Sequence, residues 1–491
     1  MISGGELVRP PRFNWRNQNS FDSAITSTMP PKAKHTKTDS DGGTKSSTTK
    51  VAKKKSSNSS SSENNPNGIQ YISSDLLPTW FNRERCRILT PNVTTPKEAS
   101  IEGTILYWMQ RDMRTADNWA ILLTQHLASQ FNIPMKVVYV LPPPYTISPC
   151  PPTESSITAS YTNMTSRHAS FLLGGLQCVE QELREAHVSF DILHPAYQEH
   201  VEQRTFTSSV ANDIIRNAKD NRACAIVTDF SPLRHVRSCT ESEEIVSSLE
   251  KEGIALYQVD AHNIVPVWMA SDKKEVGART LRPRINKLLP DFMTTFPKFV
   301  GNEHCKDTLE KRKGTNSVDW KKFESLLRPD TTVAPVSWAK PGTKAGMEHF
   351  DFFCKTGLPK FSELRNDPTE KNICSSLSPW INYGHVSFQR LALDVRALKK
   401  HTNGTASFLE EGIVRRELSD NFLFYCPDGY DSIDGGAAEW AKASLAEHEN
   451  DPREYLYSLD EFEKGETHDD LWNAAQLQVV ETGKMHGFVS C

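Results

Sequence analysis

Residues 104–141 hold the stretch that decides the fold: the run Thr104-Ile-Leu-Tyr-Trp-Met109, the amphipathic segment Asn118–Phe131, and the run Met135–Leu141. Both runs are short and rich in apolar, β-branched and aromatic residues, which predicts buried strands. The segment between them is long enough for a helix. Two buried strands joined by a helix form the repeating unit of a parallel sheet, and the crossover in such a unit is right-handed.

The same alternation continues as far as Asp260. Further strands are predicted at Val188–Leu193, Ala223–Phe230 and Ala255–Asp260, and further helices at Arg167–Ala186, Val201–Ala218 and Glu241–Glu252. This pattern predicts a Rossmann-like, doubly wound parallel sheet over residues 101–262. No Gly-x-Gly-x-x-Gly follows the first strand, so this layer lacks the usual dinucleotide fingerprint and need not hold NAD.

The pattern changes beyond residue 262. Residues 263–345 contain prolines at 266, 283, 290, 297, 329, 335 and 341, which are expected to interrupt any long helix. This part is interpreted as a linker and the start of a second domain. From about residue 346 to 491 the periodicity is helical, with helices predicted at Val386–Lys400, Ala406–Tyr425, Ala437–His448 and Leu471–Thr482. The predicted fold class is therefore α/β plus all-α.

Composition limits the classes of function. Of the 491 residues, 37% are hydrophobic and 24% charged, with a net charge of −4, which is typical of a soluble globular chain. Nucleic-acid binding would need a local basic face. The 10 cysteines contain no Cys-x-x-Cys pair, so neither a metal centre nor a disulfide framework is expected. No apolar run approaches the roughly 20 residues that cross a membrane, so no membrane partner is expected.

Residues 1–75 are predicted to be disordered, because the segment from Met29 to Gly68 is mostly Lys, Ser, Thr, Asn and Gly. Lys50 and Lys53–Lys55 form a basic cluster, which is interpreted as a nuclear localisation signal. A solubilising tail is an equal alternative. A transit peptide to an organelle is a third, since the first 28 residues contain several Arg and Ser.

Seven blocks of sequence carry a family resemblance. They are Tyr107–Arg114 with Asp117–Ala120, Thr228–Leu233, Val259–Pro266 with Gly277–Thr280, Ser337–Thr343, Arg365–Pro368 with Leu377–Trp380, Val414–Phe422, and Thr467–Gln476. In this order they resemble the class II cyclobutane pyrimidine dimer photolyases of the DNA photolyase/cryptochrome family. The resemblance implies light-dependent repair of these dimers in double-stranded DNA, by electron transfer from photoexcited reduced FAD. It also implies a monomer that absorbs blue or near-ultraviolet light, with a second antenna chromophore left unidentified.

The resemblance also implies the cofactor residues. These are Phe361, Cys374, Ser375, Ser376, Leu377, Ser378 and Asn421. Small hydroxyl residues before a helix suit a diphosphate, because a helix N-terminus favours anions. An ordinary serine N-cap is the alternative for this stretch, and helix packing is the alternative for Asn421 with Glu417. The chain departs from the family at Ser376 and Asn382, where Asn and His are usual.

Four residues are implied in catalysis and DNA binding. Glu411 would hydrogen-bond the carbonyls of the damaged pyrimidines, Arg415 would line the same pocket, and Arg365 would contact DNA phosphate. Trp472 resembles one of the family's electron-relay tryptophans. The alternative for Glu411 and Arg415, four residues apart, is a surface ion pair worth a few tenths of a kcal/mol.

The last motif, Gly483-Lys-Met-His-Gly-Phe488, follows the family until Ser490 and Cys491 stand where Arg and Met are usual. The sequence-based expectation is a helical FAD domain that is incomplete at its C-terminus, so that the chain alone holds little FAD. Two other functions stay open on sequence grounds. One is a non-repairing, cryptochrome-like flavoprotein, and the other is a truncated product without catalytic activity.

Overall fold

The computed structural model describes residues 68–97, 103–142, 164–194, 203–305 and 318–489. All of them belong to one compact unit, Ser62–Cys491. The basic cluster of Lys50 and Lys53–Lys55, and the rest of the predicted disordered tail up to residue 67, lie outside the described residues.

A six-stranded sheet has the order β1-β6-β5-β2-β3-β4. The strands are β1 (Cys86–Ile88), β2 (Thr104–Met109), β3 (Met135–Val140), β4 (Ser189–Leu193), β5 (Ala223–Asp229) and β6 (Ala255–Val259). Strands β2 to β6 are parallel, and β1 pairs antiparallel with β6 at the edge. Strands β3 and β4 extend the sheet on one side of β2, while β5 and β6 extend it on the other. This order is that of a doubly wound sheet, which confirms the Rossmann-like prediction.

Five helices accompany the sheet: α1 (Trp119–Gln130), α2 (Ser166–Glu185), α3 (Gln203–Asp220), α4 (Arg234–Glu241) and α5 (Glu243–Lys251). Every residue of β2 and β5 is buried, as expected for a parallel sheet covered on both faces. Asn118 begins α1, and its side chain accepts hydrogen bonds from the backbone N–H groups of Ala120 and Ile121. The helix predicted at Glu241–Glu252 is present as α5, whereas α4 was not predicted.

The stretch of many prolines corrects one prediction, because it contains a helix of 15 residues. The helices here are α6 (Val267–Ala270), α7 (Ala278–Phe292) and α8 (Trp320–Leu327). Pro283 and Pro290 both lie inside α7, and both are exposed. Each removes one backbone N–H bond. The opposite face of α7 buries four apolar side chains in the core, and this burial offsets the loss: Leu281, Ile285, Leu289 and Phe292.

The second half is helical. Its helices are α9 (Thr343–Thr356), α10 (Phe361–Leu364), α11 (Ser378–Asn382), α12 (Phe388–Ala397), α13 (Thr402–Leu409), α14 (Arg416–Tyr425), α15 (Ile433–Gly436), α16 (Glu439–Glu447), α17 (Leu459–Lys464) and α18 (Asp470–Thr482). The predicted single helix Ala406–Tyr425 is divided, because a π-helical turn, Glu410–Arg415, separates α13 from α14. Short 3₁₀ helices occur at Ser74–Leu76, Arg83–Arg85, Glu303–Cys305 and Leu358–Lys360. None of the helices in the described ranges is long and apolar enough to span a membrane.

The segment before β1 corrects the predicted boundary of disorder at residue 75. Ile72 is fully buried, and Tyr71 forms a β-bridge with Arg87. Arg85 is also buried, and its guanidinium donates hydrogen bonds to the backbone carbonyls of Asp260, Asn263 and Ile264, which follow β6. Residues 68–75 are therefore part of the fold.

Candidate functional site

A buried ion pair joins the sheet to the second half. Arg111 follows β2, and its Nη1 and Nη2 atoms donate to Asp420 on α14 at 2.7 and 3.1 Å. Asn263 donates to the same carboxylate at 2.9 Å. Burial alone would raise the pKa of Asp420, but the Arg111 guanidinium outweighs it and lowers that pKa to about 2.

A second group of charges lies beside this pair. Arg114 and Asp112 form a fully buried ion pair at 2.6 Å. His262 Nδ1 lies 3.3 Å from the same Asp112 oxygen, and burial lowers the pKa of this imidazole to about 4. Arg114 also donates to the carbonyl of Gly384 at 2.8 Å, so this group holds the turn before α12 against the carboxyl end of β2.

Two further residues of α14 secure the same junction. Glu417 accepts a hydrogen bond from the Ile264 N–H at 2.6 Å, and burial raises the pKa of Glu417 to about 8. Asn421 is fully buried, accepts from the Glu275 N–H at 2.8 Å and donates to the Lys273 carbonyl at 3.0 Å. These contacts are those of helix packing. The assignment of Asn421 to a cofactor stays a prediction, without a supporting contact among the described residues.

Three of the seven sequence blocks meet at this junction. They are Tyr107–Arg114, Val259–Pro266 and Val414–Phe422, which supply most of the charged and amide groups just described. Buried charges need several partners to offset the cost of leaving water. This requirement accounts for the dense spacing of polar residues in these blocks. Their shared role in the structure is to join the α/β and helical parts.

The π-helical turn Glu410–Arg415 carries the predicted catalytic carboxylate. Gly412 lies in its middle, where a Cβ atom would fall 1.6 Å from the Phe388 ring. A wider turn brings residues five apart onto one face, in addition to residues four apart. Accordingly, Arg415 Nε lies 3.7 Å from Glu411 and 3.9 Å from Glu410.

These residues belong to a row of alternating charges on the surface. Arg282 on α7 donates to both oxygens of Glu410, at 2.6 and 3.0 Å. Arg365 forms an ion pair with Glu411 at 3.0 Å. Arg415 lies between the two carboxylates, and its side chain is 57% exposed. The surface pair predicted from the spacing of Glu411 and Arg415 is present, and the structure adds Arg365 to it. We name Arg282, Glu410, Arg415, Glu411 and Arg365 the charged row.

The stretch Cys374–Ser378 lies between α10 and α11. The first residue of α11 is Ser378, its N-cap is Leu377, and no side chain caps the helix. The alternative of a serine N-cap is therefore wrong. Leu377 is 1% exposed and packs in the core, whereas Ser376 has a left-handed backbone with φ of 53°. Within the described residues, the hydroxyls of Ser375, Ser376 and Ser378 make no hydrogen bond, so all three are free to bind a ligand.

Basic side chains surround this serine stretch. His349 on α9 lies beside the backbone of Ser375 and stacks on Trp380, with ring centroids 4.9 Å apart. His486 Nε2 lies 3.5 Å from Cys374 Sγ, and Lys484 lies near the same thiol. Burial lowers the pKa of Lys484. Hydroxyls with nearby ammonium and imidazole groups fit a diphosphate group. Lys484 and His486 both belong to the motif Gly483–Phe488, which resembles the family. Their proximity to Cys374 was not predicted.

The remaining two predicted residues are aromatic, and Phe361 lies beside the charged row, with the Arg365 guanidinium 6.0 Å from its ring centroid. Phe361 is 6% exposed and packs edge-on against Phe353 and Phe408, with centroids 5.5 and 6.2 Å away. Trp472 on α18 is 39% exposed and contacts Phe462 at 5.0 Å. Its relay role stays a prediction, because among the described residues Trp472 contacts neither the serine stretch nor the charged row.

Comparison with known proteins identifies relatives over most of the chain. The DNA photolyase family matches residues 105–301. The chain is 37% identical over 410 residues to deoxyribodipyrimidine photo-lyase of Potorous tridactylus, covering 83% of this chain and 69% of that protein. It is 38% identical over 411 residues to deoxyribodipyrimidine photo-lyase of Arabidopsis thaliana, covering 82% and 75%. The rice protein of the same name is 35% identical over 414 residues, covering 82% and 73%.

Solved structures show the same fold. A Synechocystis cryptochrome matches with a TM-score of 0.57 and 15% identity, covering 80% of this chain and 74% of that one. An archaeal photolyase from Sulfolobus tokodaii, solved with two FAD molecules, matches with a TM-score of 0.53 and 15% identity, covering 79% and 73%. At this identity the likeness concerns the fold alone. It agrees with the order of α/β and helical parts described above.

Proposed function

The chain belongs to the DNA photolyase family, and from this premise we propose that it is a class II cyclobutane pyrimidine dimer photolyase. Its substrate is a dimer in double-stranded DNA, repaired under blue or near-ultraviolet light. The observation that carries this proposal is 35–38% identity, over most of the chain, to three proteins named deoxyribodipyrimidine photo-lyase. The buried junction supports it, because three of the blocks that carry the family resemblance meet there and join the two parts.

FAD is the cofactor that we propose for this site. When bound, it supplies the photoexcited electron that opens the cyclobutane ring. Ser375, Ser376 and Ser378 would hold its diphosphate through their free hydroxyls and backbone N–H groups. Lys484, which lies next to this stretch, would offset part of the negative charge. Burial lowers the pKa of His349, so its imidazole would contribute a polar contact rather than a charge. Cys374 and Leu377 would contribute backbone only, since the Leu377 side chain lies in the core.

The charged row would form the dimer-binding edge. Glu411 would contact the polar edges of the two bases, and the guanidiniums of Arg365 and Arg415 would fix the orientation of its carboxyl group. A dimer is less costly to flip from the helix than an intact pair, since damage weakens its pairing and stacking. Arg365 and Arg415, both partly exposed, would also reach DNA phosphate.

Other parts of the proposal rest on the sequence: two on the family resemblance and one on the basic cluster. Trp472 would carry electrons toward the flavin site when the bound flavin needs reduction. A second chromophore, of unspecified identity, would sit on the α/β part as an antenna. The basic cluster of Lys50 and Lys53–Lys55 would direct the protein to the nucleus.

The test is light-dependent repair by the full chain, purified and supplied with FAD. A duplex that carries one thymine dimer is incubated with the reduced protein, in the dark and under near-ultraviolet light, and repaired strands are counted. With FAD supplied in excess, we expect repair in the light alone. A chain that holds flavin and binds the dimer, yet repairs nothing in the light, would contradict the proposal.

A further inference from the structure

A basic edge lies next to the charged row and takes no part in the binding of FAD or the dimer proposed above. It consists of the loop 271–277 and the first turns of α7. This stretch contains five cations and two carboxylates, in a chain whose net charge is −4. The cations are Lys273, Lys274, Arg279, Arg282 and Arg284.

The ion pairs of this edge leave three cations unmatched. Asp272 and Glu275 both lie 3.3 Å from Arg284. Arg282 is matched by Glu410. In the described part of the chain, Lys273, Lys274 and Arg279 form no ion pair, and all three are exposed. Surplus positive charge is therefore concentrated on one strip of the surface.

The strip runs antiparallel to the continuous segment formed by the π-helical turn and α14. Ser271 accepts a hydrogen bond from Tyr425 at one end, and Arg282 binds Glu410 at the other. Between them Lys273 and Glu275 bond Asn421 through their backbones. From residue 410 to residue 425 this segment rises about 20 Å. Because each strand of DNA carries a phosphate about every 3.4 Å of axis, the stretch from Ser271 to Arg282 spans about six phosphates of one strand, and the three exposed cations lie within it.

The backbone of this strip is held in place by hydrogen bonds, which suits a surface that binds a rigid polyanion. Asn421 and Tyr425, both on α14, bind the carbonyls of Lys273 and Ser271, so the loop cannot move away from the helix without breaking these bonds. Val276 at the tip of this loop is 92% exposed. Lys274 is exposed as well, although its Nζ lies 5.5 Å from the centroid of the Phe422 ring.

We propose that the strip of Lys273, Lys274 and Arg279 is a track for the DNA backbone, which extends the contact beyond the dimer at the charged row. This inference rests on the proposed function, because it takes DNA as the partner. It adds a surface that binds phosphates without regard to sequence or damage. Damaged and intact duplexes should therefore use it equally.

The test compares DNA affinity of two matched double variants of the full chain across salt concentrations. The track variant is Lys273→Gln with Arg279→Gln. The control is Lys251→Gln with Lys321→Gln, two exposed lysines on α5 and α8, beside the sheet. Both variants lose two positive charges. Duplexes with and without one thymine dimer are used, and thermal melting checks that each variant is folded.

We expect the track variant to bind both duplexes roughly tenfold or more weakly at low salt. The slope of log affinity against log salt should fall by about two, since each phosphate contact contributes about 0.9. The control should stay within about twofold of the unchanged protein. If the unchanged protein binds dimer DNA and both variants match it, the track is wrong and the proposed function stands. If the unchanged protein does not bind DNA at low salt, both are wrong.

Discussion

Arg111 and Asp420 lie 309 residues apart in the sequence and form an ion pair with two hydrogen bonds, of 2.7 and 3.1 Å. Arg111 follows a strand of the sheet, and Asp420 lies on α14. The side chain of Asp420 is only 5% exposed, so its charge depends on this partner. The pair thus links the α/β part to the helix that directly follows the π-helical turn of the charged row.

Asp420→Ala should lower the free energy of unfolding by about 3–5 kcal/mol, because removing one partner of a buried pair leaves the other charge uncompensated. Arg111 is 20% exposed, so the lower end of this range is expected. Urea unfolding measures the change. Asp460→Ala is the control, because Lys464 and Asp460 are 56% and 69% exposed and a surface pair of this kind is worth at most about 1 kcal/mol. Equal effects of the two substitutions would contradict this role of Asp420.

The stability of the Glu417→Gln variant, relative to that of the wild type, should increase as the pH rises. Burial raises the pKa of Glu417 from 4.5 to about 8 in the folded chain. Between these two pKa values, the unfolded chain has released a proton that the folded chain retains. The wild type therefore becomes less stable as the pH increases from 4.5 to about 8. Glutamine keeps the acceptor for the Ile264 N–H and does not titrate. The melting temperature of the variant relative to the wild type should therefore rise from pH 5 to pH 8. A constant difference would show that Glu417 does not hold its proton in the folded state.

The sheet could be predicted from sequence because each central strand is a short apolar run next to a helix of clear periodicity. Edge strand β1 could not, since three residues give no period. Helix α7 was missed for a different reason. Local rules exclude interior prolines, but burial of its apolar face overrides them, and that burial depends on residues far away in the chain.

The site shows the same division. The pairing of Glu411 with Arg415 follows from their spacing, so it could be predicted. The contact of Glu411 with Arg365 could not, because it depends on how α10 lies against the π-helical turn. Gly412 was the one local sign of that turn, since a larger residue would clash with Phe388. The neighbours of Cys374 were likewise unpredictable, because Lys484 and His486 come from the opposite end of the helical part.

Arg365→Ala should weaken binding of damaged and intact DNA together, and should reduce the salt slope by about one, as expected for a phosphate contact. The Arg365 side chain is 31% exposed and forms an ion pair with Glu411, so it can reach DNA without a change in backbone conformation. Fluorescence anisotropy with labelled duplexes over a range of salt gives both quantities. A loss restricted to dimer DNA would instead place Arg365 at the lesion.

A fluorescent protein fused to residues 1–75 should accumulate in the nucleus, because Lys50 and Lys53–Lys55 form a basic cluster in a segment with little to bury. Replacing these four lysines with Gln should abolish the accumulation. Replacing an equal number of serines in the same segment with Gln is the control and should change nothing. Signal in an organelle, or nuclear signal that survives loss of the lysines, would reject this assignment.

Glu411→Gln should lower the repair yield per absorbed photon while changing dimer affinity by no more than about tenfold, since Gln still forms hydrogen bonds and a neutral hydrogen bond is worth about 0.5–1.5 kcal/mol. Glu410→Gln is a matched control. It removes the neighbouring carboxylate of the same π-helical turn, whose main partner is Arg282 at 2.6 Å rather than Arg365. Both substitutions remove one negative charge beside Arg415, so a general electrostatic effect would appear in both. Yield is measured with single flashes at saturating DNA, and affinity in the dark.

A specific fall in yield for Glu411→Gln assigns this carboxylate to the chemistry, because binding and local charge are matched between the two variants. Equal yields for the two variants would assign Glu411 to the surface ion pair alone.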